Sequence, residues 1–196
     1  MKTSKSVLLF GVVLAVCAFV VPSMASAASW SGAGTHQLFS PNLSFTAAPT
    51  GVAAGSSCAA SEFDSDVVSA AVIEITGGSF QNCRGLVNAA DCTVTASGTK
   101  FPWTATARTT TDIQIHGIHV DLVFETGPGQ PCTGFAGAKI TLTGTLTGGV
   151  WDVPTKEITL NNAPGTNVHV VGAAASGPAT VNGTIRDTTG TLNVLD

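Results

Sequence analysis

The chain is poor in charge, poorer still in basic residues, and has no tyrosine. Charged residues make up 10% of its 196 positions and hydrophobic ones 44%. It therefore lacks the high charge and low hydrophobicity that keep a chain disordered. Eight Lys and Arg stand against twelve Asp and Glu, a formal net charge of −4. So few cations exclude the usual electrostatic grip on nucleic acid. Cys-x-x-Cys, Gly-x-Ser-x-Gly, His-Glu-x-x-His, a P-loop and a dinucleotide fingerprint are all missing. The sequence thus points to no catalytic residue, no metal and no cofactor. No stretch has a convincing helical period. The length suits one domain with one core.

The one long apolar run, residues 7–21, has 15 residues. A spanning helix needs roughly 20. Lys2 and Lys5 precede the run, Pro22 breaks it, and Ala25-Ser26-Ala27 offers a signal peptidase small residues. This is the pattern of a secretory signal peptide over residues 1–27. It leaves residues 28–196 as a single domain without a membrane span, secreted and either extracellular or associated with the cell envelope. A lipoprotein signal ending at Cys17 is the alternative; Val16 and the apolar residues beyond Cys17 disfavour it. Losing Lys2 and Lys5 takes the net charge from −4 to −6, which favours solubility and repels anionic polymers.

Four cysteines then remain: Cys58, Cys83, Cys92 and Cys132. An even count in an exported chain predicts two disulfides. Of the three possible connectivities, Cys83–Cys92 with Cys58–Cys132 is expected, because the first pair closes a short loop.

What is abundant is threonine, valine, glycine and alanine. Thr and Val are β-branched and suit a pleated surface. Side chains alternate over residues 103–108, 139–147 and 181–186, with shorter alternations at 167–170 and 191–194. One apolar and one polar face per strand is the antiparallel pattern. Residues 67–75 read as a central strand with both faces covered. Residues 113–125 form the longest strand candidate, with Gly117 marking a bulge or bend where the pattern changes phase. Turns are expected at Gly77-Gly78, 127–129, Gly148-Gly149, 161–165 and 176–178. Residues 47–61, rich in Ala, Gly and Ser, read as a long loop pinned by Cys58. Residues 141–146 and 180–185 echo one another weakly. The fold class is all-β: an antiparallel β-sandwich of about ten strands with two disulfides, or alternatively a closed or partly open β-barrel.

Candidate chemistry is sparse. His116 and His119, three apart, fall on opposite faces of a strand and so make a poor metal pair. His119 and Asp121 share a face and are weak binding candidates, as is Trp151, which follows Gly148-Gly149 and is the tryptophan best placed for exposure. Packing is still the favoured role for Trp151 and for Trp103. His36 and His169 read as ordinary solvated histidines. Glu62, Asp64 and Asp66 read as a solvated acidic loop, without the spacing of a calcium loop. Ser97-Gly-Thr-Lys100 matches Ser-x-x-Lys, but it lies at a turn where that chemistry needs a helix start.

Ser79-Phe-Gln-Asn-Cys83, Cys92-Thr-Val-Thr-Ala96 and Phe101-Pro-Trp103 resemble a group of uncharacterised exported actinobacterial proteins. That group carries Phe-x-Asn-Cys, Thr-Val-Thr-Ala and Leu-Pro-Trp segments, a later Cys and Thr/Gly-rich terminal strands. Phe101 stands where the group has Leu. The likeness covers Cys58 to the C-terminus and implies secretion and an all-β fold, with no site residue to carry over. In composition alone the chain is similar to the small acidic carrier proteins of enediyne antibiotics. The expected function is a secreted, non-enzymatic structural or binding module whose partner is an envelope glycan or a small apolar molecule. A carrier holding an apolar ligand in a barrel or inter-sheet cleft is the first alternative, and a hydrolase with an unrecognised site the second.

Overall fold

The computed structural model describes residues 28–47, 54–161, 169–172 and 175–195. The signal segment, residues 1–27, and most of the turn at 161–165 lie outside the described residues. Thirteen strands are present among the described residues, and eleven of them form one sheet that closes on itself as a barrel of eight antiparallel staves.

Five staves are single long strands: β4 (Ala54–Ser69), β5 (Val72–Val87), β8 (Asp112–Glu125), β9 (Lys139–Asp152) and β12 (Ala175–Asp187). Three are assembled from two short strands each. These are β2 (Gly34–Ser40) with β3 (Leu43–Ala47), β6 (Thr93–Gly98) with β7 (Trp103–Thr109), and β10 (Glu157–Leu160) with β11 (His169–Gly172). The staves follow chain order around the barrel. β12 closes it by pairing back with β2 at Arg186↔Phe39 and with β3 at Val181↔Phe45. A two-stranded cap, β1 (Ser29–Ser31) paired with β13 (Asn193–Leu195), lies at one end. The fold is thus the barrel alternative to the sandwich. Closure leaves no long edge strand to attract another chain.

Period-two alternation explains the wall. Ile113, Ile115, Ile118, Val120, Leu122 and Phe124 of β8 are buried. Thr104, Thr106, Gln114, Thr141 and Thr143 lie on the outer side, more open to solvent. Apolar inside and polar outside is the reverse of a lipid-facing barrel. Gly117, with φ of 72°, sits in a bulge between Ile115 and Ile118. There β8 turns His116 and Gly117 outward in succession and restores its inward set. The echoed segments of β9 and β12 each place a glycine in the same unusual backbone region, Gly144 at φ 137° and Gly183 at 138°.

Several features differ from the sequence reading. Residues 67–75 are a hairpin: β4 ends at Ser69 and β5 starts at Val72. Its turn, Ala70-Ala71, has no Gly, Pro or Asn to announce it. Residues 54–61 belong to β4 rather than to a loop, because small residues are what that part of the wall can hold. Ser56 and Cys58 are fully buried, and a Cβ on Gly55 would lie 2.2 Å from the Phe45 carbonyl oxygen. Gly77-Gly78 and Gly148-Gly149 lie inside β5 and β9, next to register shifts, and make bulges instead of turns. Ser176-Gly177-Pro178 pairs with β11 as part of β12.

The disulfides are Cys58–Cys83 and Cys92–Cys132, not the expected pairing. Strand register decides the matter against loop length. Cys58 and Cys83 stand directly opposite one another in the β4–β5 pair. Cys92 enters β6 where the β8–β9 connection brings Cys132 past it, and Cys132 donates its N–H to Asp91 O. Two such bridges suit an oxidising, extracellular compartment.

Candidate functional site

The barrel interior is the first feature to build from the residues upward. Around the centre of the barrel the inward positions are aliphatic or aromatic, among them Leu38, Phe45, Phe63, Ile115, Leu146 and Val181. They leave a void of about 40 Å³ bounded by apolar atoms alone. Aromatic rings meet along one side of the wall. Phe80 lies edge-on to Phe45 at 5.8 Å and to Phe63 at 5.6 Å, and Trp103 stacks on Phe101 at 4.6 Å. A void without polar partners stays dry, so what it can accept is apolar matter.

The cap end holds the one buried ionisable pair among the described residues. His36 of β2 and Asp187 of β12 are 2% and 6% exposed. The His36 Nε2–H donates to the Gly32 carbonyl at 2.7 Å, since a carbonyl can only accept. Nδ1 faces Thr189 Oγ1 at 3.0 Å and Asp187 Oδ2 at 3.5 Å. Asp187 accepts from the Thr189 hydroxyl at 2.6 Å, the Thr189 N–H at 3.0 Å and the Leu192 N–H at 2.8 Å. Burial pushes the Asp187 carboxyl up, but these donors and His36 outweigh it and hold the group below the usual carboxylate range. Both connections of the cap are thereby fastened to the rim, the β1–β2 turn through Gly32 and the β12–β13 turn through Thr189 and Leu192. The Thr189 hydroxyl and Asp187 share one ring nitrogen while Nε2 is taken by a carbonyl. These contacts fasten the two cap turns to the rim.

His36 is therefore not a solvated histidine. The signal in the sequence was its phase: His36, Leu38 and Ser40 alternate with Thr35, Gln37 and Phe39. The side chain of His169 lies outside the described residues. His116 and His119 both face outward, because the Gly117 bulge cancels the odd spacing that was expected to separate them. His116 contacts the Thr106 and Thr145 hydroxyls, and His119 Nδ1 lies 2.7 Å from Thr99 Oγ1. Asp121 accepts from the Thr141 hydroxyl at 2.5 Å and lies 3.3 Å from the Lys139 ammonium. The Thr141 bond is the largest influence and, with Lys139, lowers the Asp121 pKa against a smaller opposing effect of burial. These candidates are spread over an outer wall, each held by strand neighbours, and no cleft gathers them.

Trp151 is 4% exposed and packs edge-on against Trp30 at 5.9 Å. It is part of the core and offers no surface platform. Glu62, Asp64 and Asp66 line the outer face of β4 instead of a loop, with the Gln37 amide bonded to Asp64. Ser97 and Lys100 flank the break between β6 and β7, without a helix. No group of three or more His, Cys, Asp or Glu able to hold a metal ion occurs among the described residues. No described helix is long and apolar enough to cross a membrane.

No protein-family model, curated protein or solved structure matches the chain. The fold and the interior define a class in physical terms alone: a closed, disulfide-bridged antiparallel barrel with an apolar lumen. Residues 79–83, 92–96 and 101–103 are structural parts of it. Phe80 and Cys83 pack in the wall and its bridge, Cys92 bridges to Cys132, and Phe101-Pro-Trp103 turns the chain from β6 into β7.

Proposed function

We propose that the chain is an exported, non-enzymatic binding module that holds a small neutral apolar ligand in the barrel lumen. The observation that carries this reading is the void bounded wholly by apolar atoms, inside an eight-stave barrel. Barrels of this size either fill with side chains or hold one small ligand. An ionised ligand is disfavoured. Among the described residues the buried ionisable groups are His36 and Asp187, already paired, so a carboxylate in the lumen would stay uncompensated at a cost of several kcal/mol. Titrating the oxidised protein with N-phenyl-1-naphthylamine, excited through tryptophan, tests the proposal. Energy transfer from the lumen tryptophans is expected, with no competition from 1-naphthoate. Absence of transfer up to the solubility of the probe would contradict it.

A structural role in the envelope draws on the outer wall, where Thr141, Thr143, Thr145 and His119 offer neutral hydroxyls and an imidazole for glycan contact. Retention on isolated cell wall above that of an unrelated secreted protein would favour this second reading.

A further inference from the structure

The lumen of about 40 Å³ is far smaller than the roughly 150 Å³ known to admit benzene. Two lumen residues, however, belong to no stave: Trp30 and Leu192. Trp30 lies on β1 of the cap, is 3% exposed, and joins Leu38, Ile115 and Leu192 around the void. Its Nε1–H is buried and has no hydrogen-bond partner. Buried polar groups are nearly always paired. The Trp30 indole is therefore a buried donor whose hydrogen bond is unmet.

We propose that the Trp30 indole occupies the place of the ligand, and that β1 and β13 lift together to exchange it for the bicyclic aromatic ring of a neutral molecule. This rests on the lumen-binding reading and adds the occupant and the route. The indole gives the size and shape of what the closed site accepts. The edge-on face of Trp151, 5.9 Å away, supplies an aromatic wall suited to such a ring. The cap is held by the packing of Trp30, Leu192 and Val194 and by a short set of hydrogen bonds. Its backbone bonds to the turns at the rim are Ala28 N to Arg108 O and Trp30 N to Ala70 O. The other ties are the His36–Asp187 cluster to Gly32, Thr189 and Leu192, and the Trp151 Nε1–H donated to Asn193 Oδ1 of β13 at 3.4 Å. The joints that would swing are Gly34 at φ 106° and Gly190 at φ 72°, neither with an atom within 4 Å of where a Cβ would stand.

The test compares N-phenyl-1-naphthylamine binding to the oxidised wild type, Trp30→Ala, Trp30→Phe and Asp187→Asn. Removing an internal competitor removes the penalty of opening, so Trp30→Ala is expected to bind at least about ten-fold more tightly than wild type. Trp30→Phe and Asp187→Asn should fall between, and the Asp187 variant should show faster association with the plug intact. Free indole should raise the Tm of Trp30→Ala, and raise that of the wild type less at the same concentration. If Trp30→Ala does not fold, Trp30→Phe and Asp187→Asn carry the comparison. Equal affinity and equal rates in all folded forms would overturn the plug while leaving lumen binding intact. Absence of binding in every form would overturn both.

Discussion

Asp187 sits where burial and hydrogen bonding oppose one another. Its carboxylate is out of water, accepts from the Thr189 hydroxyl and two backbone N–H groups, and lies 3.5 Å from the His36 ring. Removing it strands those groups, so Asp187→Ala should lower stability by about 3 kcal/mol in urea unfolding. The sign of its pH dependence follows from its lowered pKa. A depressed carboxylate stabilises the fold above its unfolded pKa, about 3.9, and that stability is lost as pH falls through the folded value. Asp121 shares the direction. So does Asp91, held down chiefly by the Thr133 N–H. The Tm should therefore hold steady above about pH 4 and drop below it, with a shallower acid limb in Asp187→Asn. A steeper limb in that variant would contradict the assignment. The role of His36 was concealed because one histidine in a polar-looking segment carries no chemical signature; only its phase against Leu38 showed that it points inward.

Among the elements, long regular alternation was legible and its interruptions were not. β7, β8, β9 and β12 follow from their own residues, since β-branched and apolar side chains recur every second position. β4 does not, because its inward positions are Ser and Cys as well as Phe. It also loses alternation at a crease where Pro41-Asn42, Ala59-Ala60 and Gln81-Asn82, on three neighbouring staves, each turn two successive residues outward. Glycine pairs read as turns proved to be bulges, where a strand needs a locally altered backbone without changing direction. The disulfides lock different parts of this arrangement. Cys58–Cys83 ties β4 to β5 where they are already paired. Cys92–Cys132 anchors the β8–β9 connection, closing a sequence separation of 40 residues. The double variant Cys92→Ser, Cys132→Ser should lose about 4 kcal/mol by the loop-entropy relation, read as a lower urea midpoint. An unchanged midpoint would show that the connection is held without its bridge.

At the scale of the whole molecule, an all-β fold with two bridges was readable, but closure was not. Closure depends on β12 meeting β2 and β3 from the far end of the chain, a pairing no local pattern records. Closure also sets the function proposed for the protein, because it turns the inward rows of eight staves into one apolar lumen with a cap over one end. The same inward rows in an open sandwich would make a core and no enclosed space. Intermolecular NOEs between bound N-phenyl-1-naphthylamine and methyl groups of the oxidised protein report most directly on that claim. The account predicts contacts from the aromatic protons to Ile115, Leu146 and Val181. Contacts confined to the exposed Val68, Val87, Val150 and Val153 would contradict it.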